Sequence, residues 1–226
     1  MDRLHPPGTL GDVVTLLLAL NAASSLVSLG MASLQSSSLE TIEAALAAGM
    51  YWDEDQALLI ESLYSLSAIG ALALLVLTGV VFLVWFFRIY ENLAGLGKQG
   101  ERSVGWAIGA WFVPIVSLFL PYLMMREAWE KSAPREDDLR AAPPLLAVWW
   151  LAFLASNVLS RVAGAQTPDP DDFGKLQSVL RWEMTSSAVD ALSAVFAVLV
   201  VHRMNRRQTD AIAVRRGQPT APPSAF

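Results

Sequence analysis

The chain has 226 residues, of which 54% are hydrophobic and only 16% charged, with a mean hydropathy of +0.43. A soluble domain carries about 25% charged residues, whereas here several apolar runs approach or exceed the ~18 residues needed to cross a hydrocarbon layer of ~30 Å. The composition excludes an ordinary soluble domain, and the absence of cysteine excludes disulfides, thiolate chemistry and palmitoylation.

Residues 1–11, with Pro6-Pro7-Gly8, read as an irregular tail. A first span is expected over 12–34; its apolar run exceeds the ~7–15 residues of a signal peptide, so it reads as a retained helix. Ser37 with Glu40 three residues on is a capping-box pattern, and Leu39, Ile42 and Leu46 follow at helical spacing before Gly49. The pattern predicts a separate short interfacial helix, with Tyr51 and Trp52 at headgroup depth. A second span covers 58–92, and a Gly-rich charged loop covers 94–103. The apolar segment 104–132 is interrupted by Pro114 and Pro121. Pro143-Pro144 mark a helix start, a third span covers 145–162, and a polar loop containing TPDPDDFG leads to the last span, 181–202. Residues 12–203 thus form one transmembrane helical domain, followed by an Arg/Pro-rich tail over 204–226.

The interrupted segment decides the topology. At 22 residues a straight helix over 104–125 would extend ~33 Å, so its length permits a crossing. If it crosses, the basic residues divide almost evenly between the two sides. If it enters and returns, one side collects every Lys and Arg except Arg161, Lys175 and Arg181. The positive-inside rule favours the second arrangement. Pro114 favours it too, because proline removes an internal hydrogen bond and clashes with the preceding turn. The fold expected is all-α, with four transmembrane helices plus a Pro-broken re-entrant or interfacial segment, and both termini are cytoplasmic. Freed carbonyls at membrane depth must be met by protein or water, so other helices are expected to surround the break.

From the end of the second span onward the residues carry a resemblance. Trp85, Arg88 and Asn92 stand at i, i+3, i+7, followed by Leu96-Gly97, Gly105-Trp106, Trp111-Phe112-Val113-Pro114, Pro121-Tyr122, Glu127 and Trp129. This stretch, about 82–132, resembles the DUF4328 family of bacterial integral membrane proteins. The resemblance implies a fold and a bacterial inner-membrane setting, and no reaction. It makes Arg88, Asn92, Trp106, Pro114, Pro121, Tyr122, Glu127 and Trp129 the candidate ligand or interaction residues. Arg88 could pair with Glu127 or donate to carbonyls at the break; the plainer reading is an interfacial arginine beside belt tryptophans.

A second candidate is an intramembrane polar cluster of Asn157, Arg161, Glu183 and Asp190. Asp190 lies seven residues beyond Glu183, on the same helical face and ~10 Å deeper, and a charge there needs a partner. Pairing with Arg161 is expected, as a structural salt bridge in preference to a working site. The string Gly95-x-Gly97-x-x-Gly100 lacks the strand that a dinucleotide motif requires, and Gly105-xxx-Gly109 is only weak support for close helix packing. His5 and His202 lack partner ligands, so no metal and no cofactor are expected.

No catalytic residue set stands out. The sequence favours a non-enzymatic membrane scaffold, sensor or accessory module, with the lipid bilayer and a homo-oligomer or membrane-protein partner as contacts. A small transporter or channel subunit using the re-entrant segment and Asp190 is the alternative, and a lipid-acting intramembrane enzyme ranks below it. Nucleic acid is not an expected partner, because the Arg-rich tail lacks interleaved aromatics.

Overall fold

In a computed structural model, residues 4–134, 142–166 and 172–217 are described. They form only helices and their connections: α1 (Gly8–Ala47), α2 (Glu54–Gly95), α3 (Trp106–Gly109), a single 3-10 turn (Val116–Leu118), α4 (Leu120–Lys131), α5 (Pro144–Ala165) and α6 (Phe173–Arg215). Among the described residues, α1, α2, α5 and α6 are each long and apolar enough to cross a membrane.

The helix ends follow local chemistry. Asp53 Oδ1 accepts the Gln56 amide and opens α2, as Asp172 Oδ1 accepts the Lys175 amide and opens α6. Pro144 begins α5 where its missing N–H is harmless. The α2 helix closes at Gly97, whose φ of 79° lets the Lys98 amide reach Leu93 O at 2.9 Å.

Two helices differ from the sequence reading. No break follows Leu34: α1 continues to Ala47, because Ser37 Oγ donates back to Leu34 O at 2.9 Å and so joins the preceding turn instead of capping a new helix. At the other end, α6 continues to Arg215, well beyond the expected limit at His202. The first half of the expected tail is therefore helix. Val201, Met204, Gln208 and Ile212 are buried on one face, and that face sustains the helix. Residues 218–226 of the expected tail, the stretch 135–141 and the loop 167–171 lie outside the described residues.

The chain divides into two compact units. One comprises 1–18, 77–150 and 196–226; the other comprises 19–76 and 151–195. In the first unit Phe82, Trp85, Phe86, Trp149 and Trp150 are buried, as are Met124, Met125 and Met204. Trp111 stands edge-on to both Phe82 and Trp150, with centroids 5.6 and 5.8 Å apart. Such pairs contribute about 0.5–1.5 kcal/mol beyond their burial.

The Pro-broken segment belongs to this unit, and it is protected on one side only. Trp150 Nε1 donates to Leu118 O at 3.0 Å, and Tyr122 stacks on the same indole. The outer side is open, with Phe112 at 72% and Ile115 at 76% exposure. The expectation that helices surround the break is thus corrected: the segment meets much of its own backbone demand. Ser117 N–H donates to Val113 O at 2.8 Å and Ser117 Oγ to Pro114 O at 2.7 Å, followed by i to i+3 bonds through the 3-10 turn.

Candidate functional site

The richest polar cluster of the first unit gathers residues from α2, the 98–102 loop, α4 and α6. Asn92 leaves α2 with 2% exposure, so its amide requires partners. Its Nδ2 donates to Gln208 Oε1 at 2.9 Å and to His5 O at 2.6 Å, and its Oδ1 accepts the His5 amide at 2.8 Å. Gln208, fully buried on α6, donates to Ile89 O at 2.9 Å and reaches Ser132 Oγ at 3.4 Å. One turn earlier on α6, Asn205 Oδ1 accepts Trp85 Nε1 at 2.7 Å. A ladder of side-chain amides therefore ties α2 to α6 and holds the N-terminal segment against both.

Glu127 is the charged centre of the cluster. The spacing of α4 buries Met124, Glu127 and Ala128 on one side. The carboxylate accepts Lys131 Nζ at 2.8 Å, Tyr90 Oη at 2.8 Å and the Glu101 amide, with Arg102 Nη1 at 3.4 Å. Burial pushes its pKa up, but the bonds from Lys131, the Glu101 amide and Tyr90 outweigh that, so it lies below the ordinary glutamate value. Lys131 also donates to Gln99 O at 2.8 Å. Gly100 makes the closure possible: a Cβ there would stand 2.7 Å from the Tyr90 ring.

These bonds have a topological consequence. Gln99–Arg102 precede the broken segment and Glu127–Lys131 follow it, yet they touch. A straight helix over residues 103–126 would separate its ends by ~36 Å. The segment instead goes out through 104–119 and comes back through α4.

The sequence-selected residues are distributed unevenly around this cluster. Asn92 and Glu127 are inside it. Trp129 lies beside it, with Arg207 donating from Nε to Trp129 O at 2.8 Å and placing its guanidinium 4.9 Å from the indole centroid. Pro121 is buried at the start of α4, Tyr122 packs on Trp150, and Pro114 and Trp106 are exposed. Arg88 is exposed as well, and the ion pairs of Glu127 go to Lys131 and Arg102 instead. A helix period puts Arg88 on the face opposite Tyr90, which explains the difference. Tyr90, Arg102, Lys131, Ser132, Asn205 and Gln208 were not selected from the sequence. The available signal was the buried stripe continuing through the Arg-rich end of α6.

The intramembrane candidates fall in the second unit. Glu183 accepts a hydrogen bond from Tyr64 Oη, a partner the sequence reading missed. Asn157 donates to Phe153 O within its own helix, and Arg161 is exposed. Asp190 is half-buried, and no ion pair joins it to Arg161 among the described residues.

The domain of unknown function DUF4328 matches residues 51–206, more than half of the chain. The chain belongs to the DUF4328 family. The DUF4328 match takes in α2 through most of α6, including Asn92, Glu127 and the broken segment; His5 and Gln208 stand outside it. No curated protein and no solved structure matches the chain. Family membership and the four apolar helices make this a multi-pass membrane protein.

Proposed function

We propose that the protein is a non-enzymatic membrane scaffold or accessory module whose working face is the basic, cytoplasmic end of the first unit. The observation that carries this reading is the closure of the polar cluster on itself. Glu127 and Tyr90 are the groups best suited to acid–base work, and they are committed to each other, to Lys131 and to the loop amide. Asn92 and Gln208 are likewise committed to one another and to backbone. Such an arrangement fixes helix ends relative to one another and leaves no poised nucleophile and base.

The residues of the first unit include every Lys and Arg except Arg161, Lys175 and Arg181, which supports placing this end in the cytoplasm with 104–119 re-entering from that side. Arg203 and Arg206 are exposed on α6, where anionic headgroups would be held at about 1 kcal/mol per basic residue. The test is thermal unfolding in nanodiscs of phosphatidylcholine with and without phosphatidylglycerol. The wild type should gain stability from phosphatidylglycerol, and Arg203→Gln/Arg206→Gln should lose most of that gain. An identical response from the two proteins would overturn the reading.

A further inference from the structure

Three helices of the first unit report how deep the broken segment reaches. Phe82 of α2 meets the Trp111 indole with centroids 5.6 Å apart, and Arg88, exposed where the apolar run of α2 ends, lies six residues further along. Trp150 of α5 donates from Nε1 to Leu118 O at 3.0 Å, and α5 begins at Pro144, six residues earlier. On the return limb α4 begins at Leu120, and exposed Arg126, paired with Glu130 at 3.5 Å, stands six residues on. Six residues of helix rise ~9 Å. Trp111, Leu118 and Leu120 therefore share one level, about 9 Å inward from a boundary marked by Arg88, Arg126 and the start of α5.

The tip between them adds little to this depth. Residues 112–117 fold tightly, with Ser117 N–H bonded to Val113 O at 2.8 Å, so they project about one helical turn, ~5 Å, beyond that level. The total of about 14 Å falls within a single leaflet, whose share of the ~30 Å hydrocarbon layer is ~15 Å. Chemistry agrees with the depth. No charged residue occurs from Ser103 to Met125. Phe112, Ile115 and Phe119 are exposed, and exposed Trp106 stands nearer the boundary, where tryptophan is favoured. Arg88, Lys98, Arg102, Arg126 and Lys131 lie around the base, so an apolar tip sits beneath a basic collar. That is the pattern of an element inserted from one face of a membrane with anionic headgroups.

We infer that residues 104–119 form a wedge in the cytoplasmic leaflet, with Phe112, Ile115 and Phe119 binding its acyl chains and the tip stopping short of the bilayer midplane. The partner of this surface is a lipid monolayer. Its placement on the cytoplasmic side rests on the reading proposed above, whereas its depth rests on the contacts alone. One-sided insertion of this kind responds to curvature and lipid composition, which suits a scaffold or sensor better than a path across the bilayer.

The test places bimane on Phe112→Cys, Ile115→Cys or Phe119→Cys in the full chain, in sealed vesicles of known orientation. Mid-chain doxyl phosphatidylcholine is exchanged into one leaflet at a time. In the cytoplasmic leaflet it should remove most of the emission at all three positions; in the opposite leaflet it should leave Phe119→Cys unchanged. A helix crossing through 104–125 would carry Phe119 ~22 Å from its start and into the opposite leaflet. Quenching of Phe119→Cys from that leaflet would therefore overturn the proposal. Emission insensitive to doxyl in both leaflets would also overturn it, because protein would then cover the face. The phosphatidylglycerol response of Arg203 and Arg206 is read separately, so the scaffold reading can fail while the leaflet assignment stands.

Discussion

Replacing Glu127 with Gln removes one charge and little volume. The residue is 6% exposed, and its carboxylate accepts from Lys131, Tyr90 and the Glu101 amide, with Arg102 nearby. Hydrogen bonds to a charged group contribute about 1.5–3 kcal/mol each, against about 0.5–1.5 for neutral ones. The amide keeps one acceptor oxygen but turns an NH2 toward a cation. Lys131 and Arg102, whose side chains are 27% and 31% exposed, can recover hydration when the charge is lost. The net loss should be about 2–4 kcal/mol, less than the sum of the bonds. Equilibrium unfolding in mixed micelles, with near-UV circular dichroism reporting the tryptophan cluster, measures it. Tyr90→Phe in a double-mutant cycle should show a coupling of about 1 kcal/mol. A loss below about 0.5 kcal/mol for Glu127→Gln, or strict additivity with Tyr90→Phe, would refute the claim that Glu127 holds the loop to α4.

The same residue predicts a pH dependence. Its folded pKa is lowered, so its contribution is complete above the unfolded pKa and disappears as pH falls through the folded value; acid should destabilise the wild type more steeply than Glu127→Gln, and parallel curves would contradict this. Gly100→Ala should lose about 1–3 kcal/mol, because its Cβ would stand 2.7 Å from Tyr90. Gly70→Ala, in open space within α2, should be neutral or gain up to about 1 kcal/mol, and equal melting temperatures for the two variants would show that the loop does not close on Tyr90. Gln208→Leu leaves Asn92 Nδ2 with only its bond to His5 O and removes the side-chain bond to Ile89 O, and thermal unfolding should show a loss of about 1–3 kcal/mol.

Much of the fold was legible because bilayer thickness imposes long apolar runs, and the four spans follow from those runs alone. Helix ends at Gly49 and Pro144 were legible through local chemistry, whereas the cap at Asp53, which starts α2 four residues before the expected span, was not. The continuation of α1 past Ser37 was not, since a serine three residues before a glutamate can cap a helix or bond backwards within one. The continuation of α6 was hidden by its arginines: exposed charges masked a buried stripe whose decisive member, Gln208, is polar. Charge counting indicated that 104–132 turns back, and the contacts of Glu127 and Lys131 with residues 99–102 give that inference a geometry. Partner choice was the least legible. Asn92 and Glu127 could be recognised as unusual, but their partners lie in distant segments, and Arg88 was favoured over Tyr90 although the helical period places it on the other face.

The return of the broken segment can be measured directly, because the chain contains no cysteine. Single cysteines at the exposed positions Gln99, Arg126 and Thr209 in sealed, oriented vesicles would be treated with a membrane-impermeant maleimide. Gln99 and Arg126 should label from the same side as Thr209, with Tyr51→Cys labelling from the opposite side. Labelling of Arg126→Cys from the side opposite Gln99→Cys would mean that 104–125 crosses the membrane, and the account of the polar cluster as a closed cytoplasmic lock would be wrong.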